Sequence, residues 1–163
     1  MRKVLIIVLG SIAGLCVLAA ALFWVSEPFA TKERSVQKAQ GQPTLPMTTI
    51  TIGTTTLQVE VATTEIETQQ GLSGRPSLAL GSGMLFIFDP PRVPGFWMKD
   101  MLFPLDIIFI DQKGRVVTVH KNIAPQTYPT TFRPSVPARY VLEVPAGFAD
   151  THRIAEGAKV VVQ

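Results

Sequence analysis

The chain has 163 residues, of which 47% are hydrophobic and 17% charged. This length fits one domain with an appendage, and the composition is too apolar for a disordered protein. Two of the 15 basic residues precede the first apolar run, which leaves 13 against 12 acidic residues. Because no basic block or basic–aromatic stripe follows, we expect no nucleic-acid partner.

An uncharged apolar segment at residues 4–25 follows Arg2 and Lys3 directly. As a helix it would span roughly 33 Å, enough to cross the hydrocarbon core of a bilayer. Cations ahead of such a segment favour a cytoplasmic N-terminus. We therefore expect a single-pass protein of the cytoplasmic membrane. A cleaved signal segment is the alternative, because Ala-Ala-Ala at 19–21 could form its cleavage site.

The segment order follows from this interpretation. Residues 1–26 are the membrane anchor or signal segment, residues 27–46 a polar tether, and residues 47–163 one periplasmic or extracellular domain. The single cysteine, Cys16, lies in the first of these. The outer domain can therefore have no disulfide, and His120 and His152 follow no metal-ligand spacing. No cofactor and no metal ion is predicted.

Short alternating segments separated by turn residues predict a mainly β domain. Residues 48–62 alternate about a turn at 53–54, which indicates a hairpin. Thr64 and Glu67 have the spacing of a capping box, so a short helix should follow and run to about Leu72, with Gly74 stopping it. A second hairpin should span residues 105–121, with Asp111 as the first residue of its turn.

The remaining elements complete this prediction. Further strands are expected at 84–88, 96–98, 139–144 and 158–162, with breaks at 89–91 and 94–95 and a second helix at 148–152. The fold class is therefore mainly β, of the α+β kind. A small barrel-like or strongly curved antiparallel sheet should carry the two short helices.

The first candidate site is the segment that contains Phe96, Trp97, Lys99 and Asp100. Aromatic faces beside a few polar groups suit a small molecule or a sugar. The alternative is that the aromatic residues only pack against the core. The irregular stretch at 122–137 contains four prolines, and it is either a functional loop or a cover for a sheet edge.

The second candidate is Asp106, which interrupts an apolar strand. A carboxylate there needs a partner, which could be Lys99, Arg75 or backbone N–H groups. It would then be either a general acid or base or a structural pairing that fixes the strand register. Asp100, Asp111 and Glu143 could in principle join it around Ca²⁺, but their spacing matches no calcium loop.

Several short motifs together resemble the family named domain of unknown function 192. They are GMLFIF at 83–88, FWMKD at 96–100, PLDI at 104–107, FID at 109–111, Gly114, QGL at 70–72, Arg75, YVLEV at 140–144 and AG at 146–147. The resemblance covers about residues 48–162 and implies a small, mainly β domain that often follows a signal or anchor. It implies no activity, because none is established for the family. The chain departs from the family pattern at Ser73-Gly74 and at Asp100-Met101.

Two functions are consistent with these observations. The first is a non-enzymatic accessory module that uses Phe96, Trp97, Lys99 and residues 122–137 to bind a small molecule, saccharide or protein outside the cytoplasm. The second is a hydrolase or lyase acting on an envelope polymer. In that case Asp106 would be the general acid or base, and Lys99 or Arg75 would stabilise charge.

Overall fold

A computed structural model describes residues 44–163. The predicted anchor and most of the predicted tether lie outside the described residues. Among residues 44–163, no helix is both long and apolar enough to cross a membrane. The elements are β1 Met47–Ile52, β2 Thr55–Ala62, α1 Glu65–Gln70, β3 Ser82–Arg92, β4 Leu105–Ile110, β5 Val116–Ile123, β6 Ala138–Pro145, α2 Phe148–Thr151 and β7 Val160–Val162.

The strands form one curled sheet, a half-barrel, in the order β5-β4-β6-β3-β2-β1-β7. Both predicted hairpins are confirmed, since β1 pairs with β2 and β4 with β5 in antiparallel register. The prediction of a purely antiparallel sheet is wrong at one place, because β2 and β3 are parallel. The connection between them contains α1, and such a crossover returns the chain in the same direction.

The two edges of the curled sheet approach each other near Gly114. The Val116 N–H donates to the Ala158 carbonyl at 2.9 Å, and the Val160 N–H donates to the Gly114 carbonyl at 2.7 Å. Gly114 has a φ of +72°, and a Cβ there would lie 2.6 Å from the Val160 carbonyl oxygen. Only glycine combines this backbone conformation with so close an approach.

Each face of the sheet carries its own apolar cluster. We call the first the α2 face, because Phe148 and Ala149 of α2 pack there with Ile108, Ile110 and other side chains. We call the second the α1 face, because the chain after α1 and the segment 96–101 cover it. Alternation along β4 places Leu105, Ile107 and Phe109 on the α1 face.

Local predictions near α1 are largely confirmed. The capping box exists, with the Thr64 N–H donating to Glu67 Oε2 at 2.9 Å and the Glu67 N–H to Thr64 Oγ1 at 3.3 Å. The helix ends earlier than predicted, at Gln70, because Gly71 takes a φ of 48° and closes it.

Two predictions about the centre of the chain are wrong. Strand β3 does not end at Phe88 but continues to Arg92 through Pro90 and Pro91, with a register shift that accommodates the prolines. Residues 96–98 are not a strand, since Phe96 makes only an isolated bridge with Phe132.

Candidate functional site

A cleft of about 910 Å³ lies on the α1 face of the sheet. One wall is formed by residues 66–74, from α1 and the turn after it, and the other by residues 92–101. The floor is contributed by Phe86 and Phe88 of β3 and by Glu143 of β6. The cleft therefore lies between a short helix with its turn and an irregular segment, both supported by a regular sheet, which is a common setting for a ligand site.

The two walls are tied together at one place. The Ser73 hydroxyl donates to the Lys99 carbonyl at 2.9 Å, and the Gly74 N–H donates to the Asp100 carbonyl at 2.8 Å. Asp100 has a φ of 56°, a left-handed conformation that Asp tolerates better than most residues. These bonds fix the separation of the walls where they meet.

The 92–101 wall is supported from behind by the proline-containing loop at 122–137. Phe96 and Phe132 exchange backbone hydrogen bonds of 2.9 and 2.7 Å. A Cβ on Gly95 would lie 2.7 Å from the Thr131 Cγ2 atom, so the loop and the wall are in close contact there. No residue of 122–137 is among those that line the cleft in the described chain. The loop thus positions the site and does not form its surface.

Phe96 and Trp97, both predicted as ligand-binding residues, line the cleft in different ways. Phe96 is 8% exposed, and its ring contacts those of Phe86 and Phe109 edge-to-face at 4.9 and 5.9 Å. Trp97 is 54% exposed, because successive side chains here point alternately in and out. Phe96 is therefore a core residue at the cleft wall, and Trp97 presents an indole face at the mouth.

Three charged side chains surround the mouth. Lys99 and Asp100, both predicted, line the cleft and are exposed, as is Arg92, which the sequence analysis did not single out. The Arg92 guanidinium carbon lies 4.3 Å from the centroid of the Phe88 ring, a cation–π contact that orients it. Within residues 44–163, neither Arg92 nor Lys99 takes part in an ion pair.

Glu143 on the cleft floor has an unusual environment. It is 5% exposed, and its strand neighbours in register are Met84 and Ile107, both fully buried. None of the hydrogen bonds found among the described residues engages its carboxyl group, and no cation of that part pairs with it. Burial raises the pKa of Glu143 to about 8, so the carboxyl is mainly protonated at neutral pH. It can then donate a hydrogen bond into the cleft.

Asp106 lies on the opposite face of the sheet from this cleft. It is 0% exposed, and Oδ1 accepts from the Asn122 N–H at 2.7 Å and the Gly147 N–H at 3.2 Å, while Oδ2 accepts from the Ala149 N–H at 2.8 Å. The prediction that backbone N–H groups bind the Asp106 carboxylate is confirmed. The prediction that Lys99 or Arg75 pairs with it is wrong. The physical reason is the period of two along β4, which separates Asp106 from the side chains of the α1 face.

Arg75 does not converge with Asp106 or with Lys99, as a catalytic group would require. Its guanidinium makes a two-pronged ion pair with Glu60, with Nη2 at 2.7 Å from Oε2. The hydrogen bond from Arg75 lowers the pKa of Glu60, and the same hydrogen bond raises the pKa of Arg75. Arg75 is not among the residues that line the cleft. Its contact is therefore with the neighbouring strand β2.

The carboxylates considered for Ca²⁺ do not gather. Asp106 is enclosed by backbone amides, and Asp111 Oδ1 accepts from the Lys113 and Arg115 N–H groups in its predicted turn. In residues 44–163, no group of three His, Cys, Asp or Glu residues could hold a metal ion.

A family model matches residues 48–162, which is most of the described chain. Its description is DUF192, an uncharacterised ACR family. The chain belongs to the DUF192 family. This confirms the resemblance inferred from the motifs. No curated protein is significantly similar.

Two solved structures resemble this DUF192 member. A protein of unknown function from Novosphingobium aromaticivorans is 34% identical, with a TM-score of 0.68 over 72% of this chain and 86% of that one. A protein from Sinorhizobium meliloti, described as a candidate transcription regulator, is 29% identical, with a TM-score of 0.70 over 75% of this chain and 98% of that one. Because the match spans nearly all of the second protein, the β domain exists elsewhere as a separate folding unit.

Four of the DUF192 motifs, those at 70–72, 83–88, 96–100 and 140–144, contribute residues to the cleft. The motif at 83–88 belongs to β3 and that at 140–144 to β6, and the two strands pair directly beneath the cleft. The two departures from the family pattern also meet, since Ser73 and Gly74 bond to the backbone of Lys99 and Asp100. Sequence reasoning could have found Glu143 from one signal, since it shares a strand face with the apolar Val141.

Proposed function

We propose that this DUF192 protein is a membrane-tethered binding module of the cell envelope whose cleft takes a small organic ligand. The observation that carries the proposal is Glu143. Glu143 as a residue is 95% buried and its carboxyl bonds to no described residue, but its oxygens are not among the fully buried unsatisfied atoms of residues 44–163, so water or a ligand in the cleft has to satisfy the carboxyl. A ligand group that accepts a hydrogen bond on the cleft floor would do so.

The surroundings of Glu143 support a ligand rather than a simple packing defect. The cleft combines aromatic side chains on its floor and wall with a few charged groups at its mouth. Its volume of about 910 Å³ is in the range of small-molecule sites. The ties between the walls, Ser73 to Lys99 and Gly74 to Asp100, would hold it open before the ligand arrives.

The test is a fragment screen by NMR on residues 42–163, which form one compact unit. We expect fragments that bind to shift the amide resonances of residues 66–74 and 92–101. Glu143→Leu should weaken the binding of such fragments, while Glu143→Gln, which still donates a hydrogen bond, should retain most of it. Fragments that bind only elsewhere, or equally well to Glu143→Leu, would contradict the proposal.

The envelope location rests on residues 4–25 and on the two cations before them. Alkaline phosphatase fused after Gln163 of the full chain should be active in a bacterial host, because that enzyme matures only outside the cytoplasm. The same fusion to residues 42–163 should be inactive. An active phosphatase in both, or in neither, would contradict the location.

Two other functions have less support. A hydrolase built on Asp106 would need that carboxylate to reach a substrate, but three amide groups enclose it away from the cleft. A transcription regulator, as the Sinorhizobium protein is described, would need a positive surface for DNA. Residues 44–163 hold ten Lys and Arg residues and ten Asp and Glu residues.

A further inference from the structure

The mouth of the cleft offers a flat apolar surface beside groups that form hydrogen bonds. Trp97 exposes 54% of its surface there, and the chain on either side of it, Phe96 and Met98, is buried. The two buried side chains thus anchor the backbone that carries the indole, while Trp97 itself stays exposed. A sugar ring, which has one apolar C–H face and a rim of hydroxyl groups, matches such an arrangement.

The polar groups of the cleft include both donors and acceptors. Gln69 and Gln70 of α1 carry amides on one wall, and the Asp100 carboxylate lies on the other. Gln69 Nε2 donates to Glu65 and Gln70 Nε2 to the Ser73 carbonyl, which leaves each amide its oxygen and a second N–H for a ligand. Sugar hydroxyls both donate and accept, so they can use this mixture. An extended peptide would instead pair with a free strand edge, and the cleft walls are a short helix with its turn and an irregular segment.

Two cations line the cleft without an ion-pair partner among residues 44–163. Arg92 lies over the Phe88 ring at 4.3 Å, and Lys99 lines the same wall. Asp100 offsets one of the two charges, which leaves one positive charge at the mouth. The flat guanidinium of an Arg binds a carboxylate through two parallel hydrogen bonds.

We infer that the ligand is a saccharide unit that carries a carboxylate. Its ring lies against Trp97, its carboxylate meets Arg92 and Lys99, and a hydroxyl or carbonyl oxygen accepts a hydrogen bond from Glu143 on the floor. The inference rests on the proposed function, because it names the ligand class for the same cleft. Protonation of Glu143 at neutral pH supports it, since an ionised carboxylate there would repel an acidic sugar.

The experiment compares two matched pairs of sugars by titration against residues 42–163. Glucuronate carries a carboxylate at the C6 position of glucose, and N-acetylmuramate adds to N-acetylglucosamine a lactyl ether that ends in a carboxylate. We expect the acidic member of at least one pair to bind about tenfold more tightly or better, as a charge-assisted contact allows. Raising the salt concentration should reduce that preference, because the mouth is open to solvent.

Variants identify which side chains produce the preference for the acidic sugar. Arg92→Gln and Lys99→Gln should each bring the acidic-to-neutral affinity ratio toward one. Trp97→Ala should weaken both members of a pair equally. Lys113→Gln is the matched control, since it removes an exposed cation from a turn that does not line the cleft.

The outcomes distinguish a failure of the acidic-saccharide assignment from a failure of the proposed binding function. Equal binding of acidic and neutral sugars would overturn the carboxylate assignment and leave the cleft as a sugar site. Binding of D-alanyl-D-alanine to the cleft, with no sugar binding, would overturn the saccharide class but not the proposed function. If the fragment screen also finds nothing in the cleft, both fail. A ratio of tenfold that Arg92→Gln abolishes and Lys113→Gln preserves would establish the inference.

Discussion

Asp106 and Glu143 are two buried carboxyl groups on paired strands, and they have opposite environments. Asp106 lies on the α2 face, where three backbone N–H groups donate to it. Glu143 lies on the α1 face, with no donor or cation among the described residues. Burial is nearly the same, at 0% and 5% exposure, so burial alone does not mark a functional acid. What distinguishes them is whether the fold already satisfies the group.

Asp106 and Glu143 differ because different chain segments pack over their positions in the sheet. At Asp106, the end of β5 and the start of α2 converge, and Gly147 with a φ of 83° lets the chain turn so that its amides point inward. At Glu143, the ladders to β3 and β4 already use the neighbouring backbone groups. Only the cleft remains open to it. The fold therefore supplies the hydrogen bonds of Asp106, whereas the carboxyl of Glu143 can bond only to a group in the cleft.

The largest effect is expected for Asp106→Asn. Its amide nitrogen would face at least one of the three N–H donors, so the free energy of unfolding should fall by about 3 to 5 kcal/mol. Urea denaturation of residues 42–163 measures this. Asp111→Asn, at an exposed turn, is the control and should cost about 1 kcal/mol or less. An Asp106→Asn protein as stable as the parent would show that the three backbone N–H groups do not need a negatively charged acceptor.

Glu143 should make stability depend on pH in the neutral range. The folded state keeps its proton up to a pKa of about 8, whereas the unfolded chain loses it near the ordinary value of 4.5. The folded state therefore binds more protons between these values, and the free energy of unfolding should fall by about 1.4 kcal/mol per pH unit as pH rises. From pH 5 to 7.5 the total is about 3 kcal/mol.

Glu143→Gln should abolish this slope, since Gln does not titrate. Urea midpoints at pH 5 and 7.5 for the parent and the variant provide the measurement. A parent protein whose stability stays level across this range would mean that Glu143 is ionised when folded. The contrast with Asp106 would then disappear.

The contribution of Glu60 to stability should change with pH in the opposite direction. It lies in the same cross-sheet row as Glu143, with Met84 between them, but it has Arg75 as its partner. Its lowered pKa means that stability is present above 4.5 and is lost as pH falls through the folded value. Glu60→Gln should cost about 1 to 2 kcal/mol at pH 7, because the half-buried Arg75 loses its counter-charge.

The matched variant is Arg75→Gln, which removes the same ion pair from the other side. Thermal denaturation at pH 7 and pH 3.5 should show the two variants alike, each less sensitive to acid than the parent. An additive loss in the double variant would indicate that the pair is not coupled.

The smallest effect on stability is expected for Trp97→Ala, within about 0.5 kcal/mol, since an exposed side chain contributes little to the core. Binding of sugars at the cleft should nevertheless be weakened. Phe96→Ala provides the contrast one residue earlier, with a cost of about 3 to 5 kcal/mol for a buried aromatic. Differential scanning fluorimetry would separate the two. A large loss of stability for Trp97→Ala would place it in the core instead of at the mouth.

Much of the local structure could be predicted because its causes are local. The Thr64 and Glu67 capping box, the two hairpins and the Asp111 turn each depend on residues within a few positions of one another. The DUF192 motifs likewise identified the family without coordinates. The candidate segment 96–100 was found for the same reason, although which of its aromatics faced the solvent was not.

The residue pattern predicted that Asp106 would need partners and that the domain would be mainly β. The identity of the partners depends on the three-dimensional fold, since the amides of Asn122, Gly147 and Ala149 lie 16 to 43 positions away along the chain. The same holds for Glu143, whose isolation depends on the strands and wall segments that pack around it. Periodicity specifies which face a side chain takes, but the groups that meet it there come from distant parts of the chain.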